Sequence, residues 1–168
     1  MIKVHMGLKG SGKTPKMLEA IDAAVQAEKG NVVCITEGDR LMHSINRKAR
    51  MVTTGDFNIK NLDVFTGMLC GIIAQDYDVT HIFIDSIFKS VPSATVADLE
   101  DFVDSLDKLD KKFNVSFTVM VSADASEAGD KVKKYGLIIG FVTLCHFCGF
   151  LRRNDILHIY IYKFTRKR

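Results

Sequence analysis

The sequence predicts an α/β fold, a three-layer sandwich in which helices cover both faces of a mainly parallel sheet. Its 168 residues are 47% hydrophobic and 26% charged, which suits one globular domain and excludes wholesale disorder. Short apolar runs alternate along the chain with longer segments in which apolar residues recur every three or four positions. Most of the short runs are continuously apolar, which is typical of strands covered on both faces.

Five short runs predict the strands of this sheet. They cover residues 2–6, 31–36, 50–53, 81–85 and 117–121. Five segments with helical periodicity lie between or after them. They cover residues 15–28, 40–47, 61–75, 99–113 and 126–135. The helix over 99–113 has the clearest amphipathic pattern, and Thr95 with Asp98 is predicted to cap it.

The strongest functional signal is the segment GLKGSGKT at residues 7–14, hereafter the glycine loop. It fits the pattern G-x-x-x-x-G-K-[ST] in full, and it follows a predicted strand and opens a predicted helix. Glycines let successive backbone N–H groups point at phosphate oxygens, and the helix adds its positive end. The candidate nucleotide-binding residues are Gly7, Lys9, Gly10, Ser11, Gly12, Lys13 and Thr14. A glycine-rich turn with a solvated lysine is the structural alternative.

Two of these residues carry specific roles in such a loop. Lys13 would reach the β- and γ-phosphates of a nucleotide, and the Thr14 hydroxyl would coordinate Mg²⁺. Asp85 ends an apolar strand further along the chain, which is the position of the acid that supports Mg²⁺, usually through water. Otherwise Asp85 would cap the segment that follows. The predicted cofactors are therefore Mg²⁺ and ATP.

With both parts in place, residues 1–135 resemble the P-loop ATPases, and more narrowly the branch of RecA, KaiC and the replicative helicases. Three segments carry the narrower resemblance: Ile82 to Ser86, Val32 to Glu37 and Val119 to Ser122. The resemblance implies a P-loop NTPase core of RecA-like type. It also implies that Glu37 orients the attacking water, that Lys13 is catalytic and that Ser122 senses the γ-phosphate.

The residues themselves give a separate argument for Glu37. A carboxylate at the carboxyl end of a strand beside the loop strand would face the ligand crevice and could polarise water. Glu37 could instead be a turn acid in the segment Glu37-Gly38-Asp39, and Asp39 is the substitute base. Asp124, near Ser122, is an alternative cap for the next helix.

The sequence thus favours slow Mg²⁺-dependent hydrolysis of ATP to ADP and phosphate. No Asn-Lys-x-Asp tetrad occurs, so ATP is preferred to GTP. A nucleoside or nucleotide kinase of thymidine-kinase type and a non-enzymatic, nucleotide-gated scaffold remain alternatives.

The partners are less well defined. The resemblance implies a homo-oligomer in which a neighbour supplies an arginine or lysine, and an unidentified protein partner also stays open. Candidates for that residue are Arg47, Arg50, Arg152 and Arg153. Residues 88–94 form a short segment without evident DNA-binding loops, which leaves nucleic-acid binding undecided.

The composition changes after residue 136, so we divide the chain into a nucleotide-binding domain at 1–136 and a C-terminal segment at 137–168. This segment is apolar at first and then basic, with six basic residues and one acidic residue. It could form a hairpin, a membrane-associated or interface helix through 137–153, a poorly packed appendage or an out-of-frame extension. Its single Cys145-x-x-Cys148 pair favours reduced thiols over zinc.

The sequence also indicates a compartment. No window reaches 18 consecutive apolar residues, and the N-terminus lacks the apolar core of a signal peptide. We therefore expect a cytoplasmic protein.

Overall fold

A computed structural model of the chain describes residues 1–27 and 29–135. All five predicted strands are present. They are β1 (Ile2–Met6), β2 (Asn31–Thr36), β3 (Arg50–Thr53), β4 (Val79–Asp85) and β5 (Ser116–Val121). The helices are α1 (Lys13–Ala27), α2 (Leu62–Gln75), α3 (Ile87–Ser90), α4 (Leu99–Phe113) and α5 (Asp130–Lys134). Single 3₁₀ turns occur at Asp39–Leu41 and Ala125–Glu127.

The strands form one sheet in the order β1-β5-β4-β2-β3, and every neighbouring pair is parallel. This confirms the α/β class and the parallel sheet. The order corrects one expectation, because β2 does not lie beside β1. Two strands, β5 and β4, separate them. A crossover helix ensures that the next strand is parallel, but it does not fix how many places that strand moves along the sheet.

Side-chain alternation divides the buried residues between the two faces of the sheet. On β4, Ile82 and Ile84 pack in the larger core, which α2 and α4 cover, while Phe83 packs in the smaller core under α1. Helices thus lie on both faces, as a three-layer sandwich requires. The same alternation assigns Asp85, which follows Ile84, to the α1 face.

The predicted Thr95–Asp98 pair forms, but it does not cap α4, because the N-cap residue is Asp98 and its side chain accepts no N–H of the helix. The hydroxyl of Thr95 donates to the carboxylate of Asp98 at 2.7 Å, and its backbone N–H donates at 2.8 Å. The helix then runs to Phe113 and ends at Asn114, which adopts the left-handed conformation with φ +56°. An asparagine tolerates that conformation and can end a helix there.

The predicted helix over 40–47 is wrong. Only one 3₁₀ turn forms, and turns follow it. The side chain of Asn46 accepts from the Lys48 N–H at 3.0 Å and donates to Asp22 at 2.9 Å. Asparagine bonds of this kind compete with the helical backbone pattern.

The predicted helix over 126–135 is broken into a 3₁₀ turn and α5, with Gly129 between them. Asp124 caps the first piece by accepting from the Ser126 N–H at 2.9 Å. The Glu100 carboxylate of α4 accepts from the Lys131 N–H at 3.3 Å, next to Gly129. The capping alternative for Asp124 is therefore confirmed.

Within the described residues, no helix is long and apolar enough to cross a membrane. The predictions for residues 137–168 lie outside the described residues. They comprise the hairpin and membrane alternatives, the Cys145 and Cys148 thiols, and Arg152 and Arg153.

Candidate functional site

A cleft of about 330 Å³ opens at the carboxyl ends of β1, β5 and β4. Three segments line it: the glycine loop with the start of α1, the first residues after β4, and the residue after β5. The lining residues are Lys9, Gly10, Gly12, Lys13, Thr14, Pro15, Asp85, Ser86, Lys89 and Ser122. The chain leaves β1 toward one face of the sheet and β4 toward the other, and such a divergence leaves a crevice.

The glycine loop adopts a conformation that requires glycine at two positions. Gly10 and Gly12 have φ angles of +88° and +76°. A Cβ at either position would meet no heavy atom within 4 Å, so the requirement comes from the backbone angle and not from lack of space. The loop is fastened at its start, where the Gly7 N–H donates to the Val121 carbonyl at 3.2 Å. This bond ties the glycine loop to the end of β5.

Lys13 folds back across the glycine loop. Its ammonium donates to the carbonyls of Gly7 at 2.6 Å and Leu8 at 2.9 Å, and to the Ser11 hydroxyl at 3.2 Å. Partial burial lowers the pKa of Lys13, and Lys89 lowers it further, while Asp85 opposes the shift. The helix α1 begins at Lys13 itself, so its first N–H groups have no acceptor inside the helix.

Asp85 and Thr14 meet in the cleft. Both side chains line it. Burial raises the pKa of Asp85, and the shift is opposed by the positive charges of Lys89, Arg40 and Lys13 and by the nearby Thr14 hydroxyl. A hydroxyl and a carboxylate beside each other are the oxygen ligands that Mg²⁺ takes while keeping several waters. The residues present therefore fit that ion.

Ser122 also reaches the cleft. The Ser86 hydroxyl donates to the Ser122 hydroxyl at 3.1 Å, which links the ends of β4 and β5. Because β5 lies between β1 and β4, Ser122 stands between the glycine loop and Asp85. In the sequence analysis, only the family resemblance predicted that these three segments lie together.

Glu37 lies at the same edge of the sheet but does not line this cleft. It follows Thr36, whose register partner is Asp85, and its side chain is exposed. Its carbonyl accepts from the Gly55 N–H at 2.8 Å, and a Cβ on Gly55 would come within 2.7 Å of the same oxygen. The backbone at Glu37 is thus closely held against the loop after β3. Its role as a base stays a prediction, as does the substitute Asp39.

The two described arginine candidates do not line the cleft. Arg50 starts β3 at the opposite edge of the sheet and donates to the Gln75 side chain at 2.8 Å. Arg47 is exposed in the turn before β3. The structure instead brings Lys89 to the cleft and Arg40 into the electrostatic environment of Asp85. Sequence reasoning missed both, although Lys89 stands four residues after Asp85, one helical turn away.

No group of three or more His, Cys, Asp or Glu side chains suited to a metal ion occurs in the part of the chain that the structure describes. Comparison with protein-family models and with curated proteins gives no match. The cleft's own geometry therefore carries the functional interpretation.

Proposed function

We propose that this chain is a P-loop ATPase with a RecA-like core, which binds Mg-ATP in the cleft and hydrolyses it to ADP and phosphate. One observation carries the proposal. Thr14, at the end of a complete phosphate-loop motif, lines the same cleft as Asp85, which ends a different strand. The loop motif in the sequence includes only Thr14, whereas the fold brings Asp85 to the same place.

Phosphate binding follows from the glycine loop and the start of α1. Gly10 and Gly12 hold the loop in left-handed turns, and the first N–H groups of a helix attract anions. The Lys13 ammonium already lies over the loop. Because an ammonium has three donors, Lys13 can turn one toward a phosphate oxygen while keeping loop carbonyls as partners.

Thr14 and Asp85 would hold Mg²⁺ through oxygen, with Asp85 acting through a water molecule. When bound there, Mg²⁺ would neutralise charge on the phosphate oxygens. A cation next to Asp85 favours its ionised form and would reverse the effect of burial on its pKa.

The hydrolytic step needs a group that orients water. We assign this role to Glu37, as the resemblance implies. We assign to Ser122 the role of contacting the terminal phosphate. Ser122 lines the cleft beside Ser86, and its hydroxyl can donate to an anionic oxygen. Glu37 follows β2, the strand beside β4, one residue beyond the register partner of Asp85.

The direct test is equilibrium binding of Mg-ATP to the full chain. We expect Lys13→Ala to weaken binding by roughly 10- to 100-fold, the equivalent of a lost hydrogen bond between charged groups. Lys16→Ala is the matched control, because Lys16 is exposed on the same helix and does not line the cleft. Equal affinity in Lys13→Ala and wild type would overturn the site assignment.

A further inference from the structure

Lys89 is a cation in the cleft that the loop motif does not explain. It sits on the first turn after β4, where its backbone N–H donates to the Ser86 carbonyl at 2.9 Å. Its side chain is exposed and lines the cleft together with Thr14, Asp85 and Ser122. None of the ion pairs within residues 1–27 and 29–135 includes Lys89.

The charge of Lys89 acts on both key groups of the cleft. Among the charged neighbours of Asp85, it opposes the burial shift of the carboxyl pKa most strongly, ahead of Arg40 and Lys13. It also lowers the pKa of Lys13. The ammonium groups of Lys13 and Lys89 therefore repel each other across the part-buried cleft. Asp85 is the single carboxylate among the residues that line the cleft, so positive charge remains in excess.

An excess of like charge in a cleft becomes favourable when a polyanion enters. Lys13 belongs to the segment after β1 and Lys89 to the segment after β4, with the end of β5 between them. A phosphate chain that starts at the glycine loop and extends toward Asp85 therefore runs toward Lys89. Lys9 also lines the cleft, but it belongs to the loop itself and is not among the charges that act on Asp85.

We infer that Lys89 contacts the terminal phosphate of a bound nucleoside triphosphate and so distinguishes the triphosphate from the diphosphate. This inference rests on the proposed function. It places within one chain a cation of the kind that the family resemblance assigns to a neighbouring subunit. Lys89 is then a specificity residue, because the diphosphate ends before reaching it.

The test compares the affinities of the full chain for Mg-ADP and for Mg-bound β,γ-imido-ATP, an analogue that is not hydrolysed. We expect Lys89→Met to weaken binding of the triphosphate analogue by roughly 10- to 100-fold and that of ADP by no more than about twofold. Lys89→Arg keeps the charge and should retain most of the selectivity. Lys108→Met, on the exposed side of α4, removes the same charge away from the cleft and should change neither affinity.

Two results would overturn the inference and leave the proposed function standing. One is an equal loss of affinity for both nucleotides in Lys89→Met, which would indicate a general charge effect. The other is no loss for either. If wild type binds neither nucleotide, the proposed function fails and the inference fails with it. A melting curve of each variant checks the fold, and Lys89→Gln repeats the measurement with a polar side chain.

Discussion

Two charged regions of this molecule are built in opposite ways. On the α4 face, which we define as Asp104, Asp107, Lys111 and Lys131, each lysine pairs with a carboxylate. The Lys131–Asp104 distance is 2.6 Å and the Lys111–Asp107 distance is 2.5 Å. In the cleft, by contrast, Lys13 and Lys89 lie near one part-buried carboxylate, that of Asp85, and within the described residues neither forms an ion pair with it.

The difference separates surface charge from a binding site. The Lys111–Asp107 pair lies one turn apart on a single helix and is exposed, so water and salt screen it. Its two charges balance, and it needs no further partner. The cleft draws its charges from two separate segments, the glycine loop with the start of α1 and the residues at and after the end of β4, and leaves them unbalanced. An excess of positive, part-buried charge is the environment that the phosphates of our proposed nucleotide ligand would neutralise.

Glu37 gives the largest expected effect and defines how far the site extends. The Glu37 side chain is exposed, like the charged side chains of the α4 face, but we propose that it orients the attacking water. Glu37→Gln should lower the rate of phosphate release by at least about 100-fold, because a general base contributes that much, while Mg-ATP affinity stays unchanged. Asp39→Asn is the matched control. Normal turnover in Glu37→Gln together with lost turnover in Asp39→Asn would move the base to Asp39.

Asp85→Asn should remove most of the effect of Mg²⁺ on ATP affinity, a loss of roughly tenfold, because an amide is a weaker partner for the ion. Titrating ATP with and without Mg²⁺ measures this difference. The corresponding change on the α4 face, Asp104→Asn, should leave it intact. A Mg²⁺ dependence that survives in Asp85→Asn would contradict the assignment of the ion to this pair.

The same variant predicts a pH effect of definite sign. Burial raises the pKa of Asp85, so the folded state holds this proton to a higher pH than the unfolded chain does. Ionising Asp85 therefore costs stability, and that cost appears as the pH rises through the folded pKa. In the absence of nucleotide, the stability of Asp85→Asn relative to wild type should increase from about pH 4 to pH 7. Urea unfolding at several pH values measures the trend, and a decrease would contradict it.

Gly12→Ala tests the loop conformation and not its charge. A residue with a Cβ in the left-handed region costs about 1–2 kcal/mol, and a loop that relaxes would lose roughly tenfold in ATP affinity. Gly38→Ala is the control, because Gly38 has φ −142° and open space at its Cβ position. Equal ATP affinities in the two variants would show that the left-handed turn is not needed for binding.

The smallest effect is expected on the α4 face. Lys131→Ala breaks the contact with Asp104, but the Lys131 side chain is 50% exposed. Because exposed ion pairs contribute little, the melting temperature and the ATP affinity should match wild type within error. A clear loss of ATP affinity would mean that the two regions are coupled, and the comparison between them would no longer hold.

Much of the fold could be predicted because it depends on local pattern. The apolar runs located all five strands, and helical periodicity located α1, α2 and α4, the last with its Thr95–Asp98 pair. The prediction failed where side-chain bonds competed with the helical backbone, at Asn46 and around Gly129. Two bonds at these places connect segments far apart in the chain, Asn46 with Asp22 and Lys131 with Glu100, and no periodicity within one segment reports them.

By itself the sequence determined the parallel α/β architecture, the glycine loop and the position of Asp85 at the end of a strand. These follow from residue spacing along the chain, which sets both hydrophobic period and motif. Only the tertiary structure decided the strand order. The strand order placed β5 between β1 and β4, brought Thr14 and Asp85 into one cleft, and placed Lys89 in the same cleft. The reason is that a crossover helix fixes the direction of the next strand but not its neighbours, and the neighbours decide which side chains share a cleft.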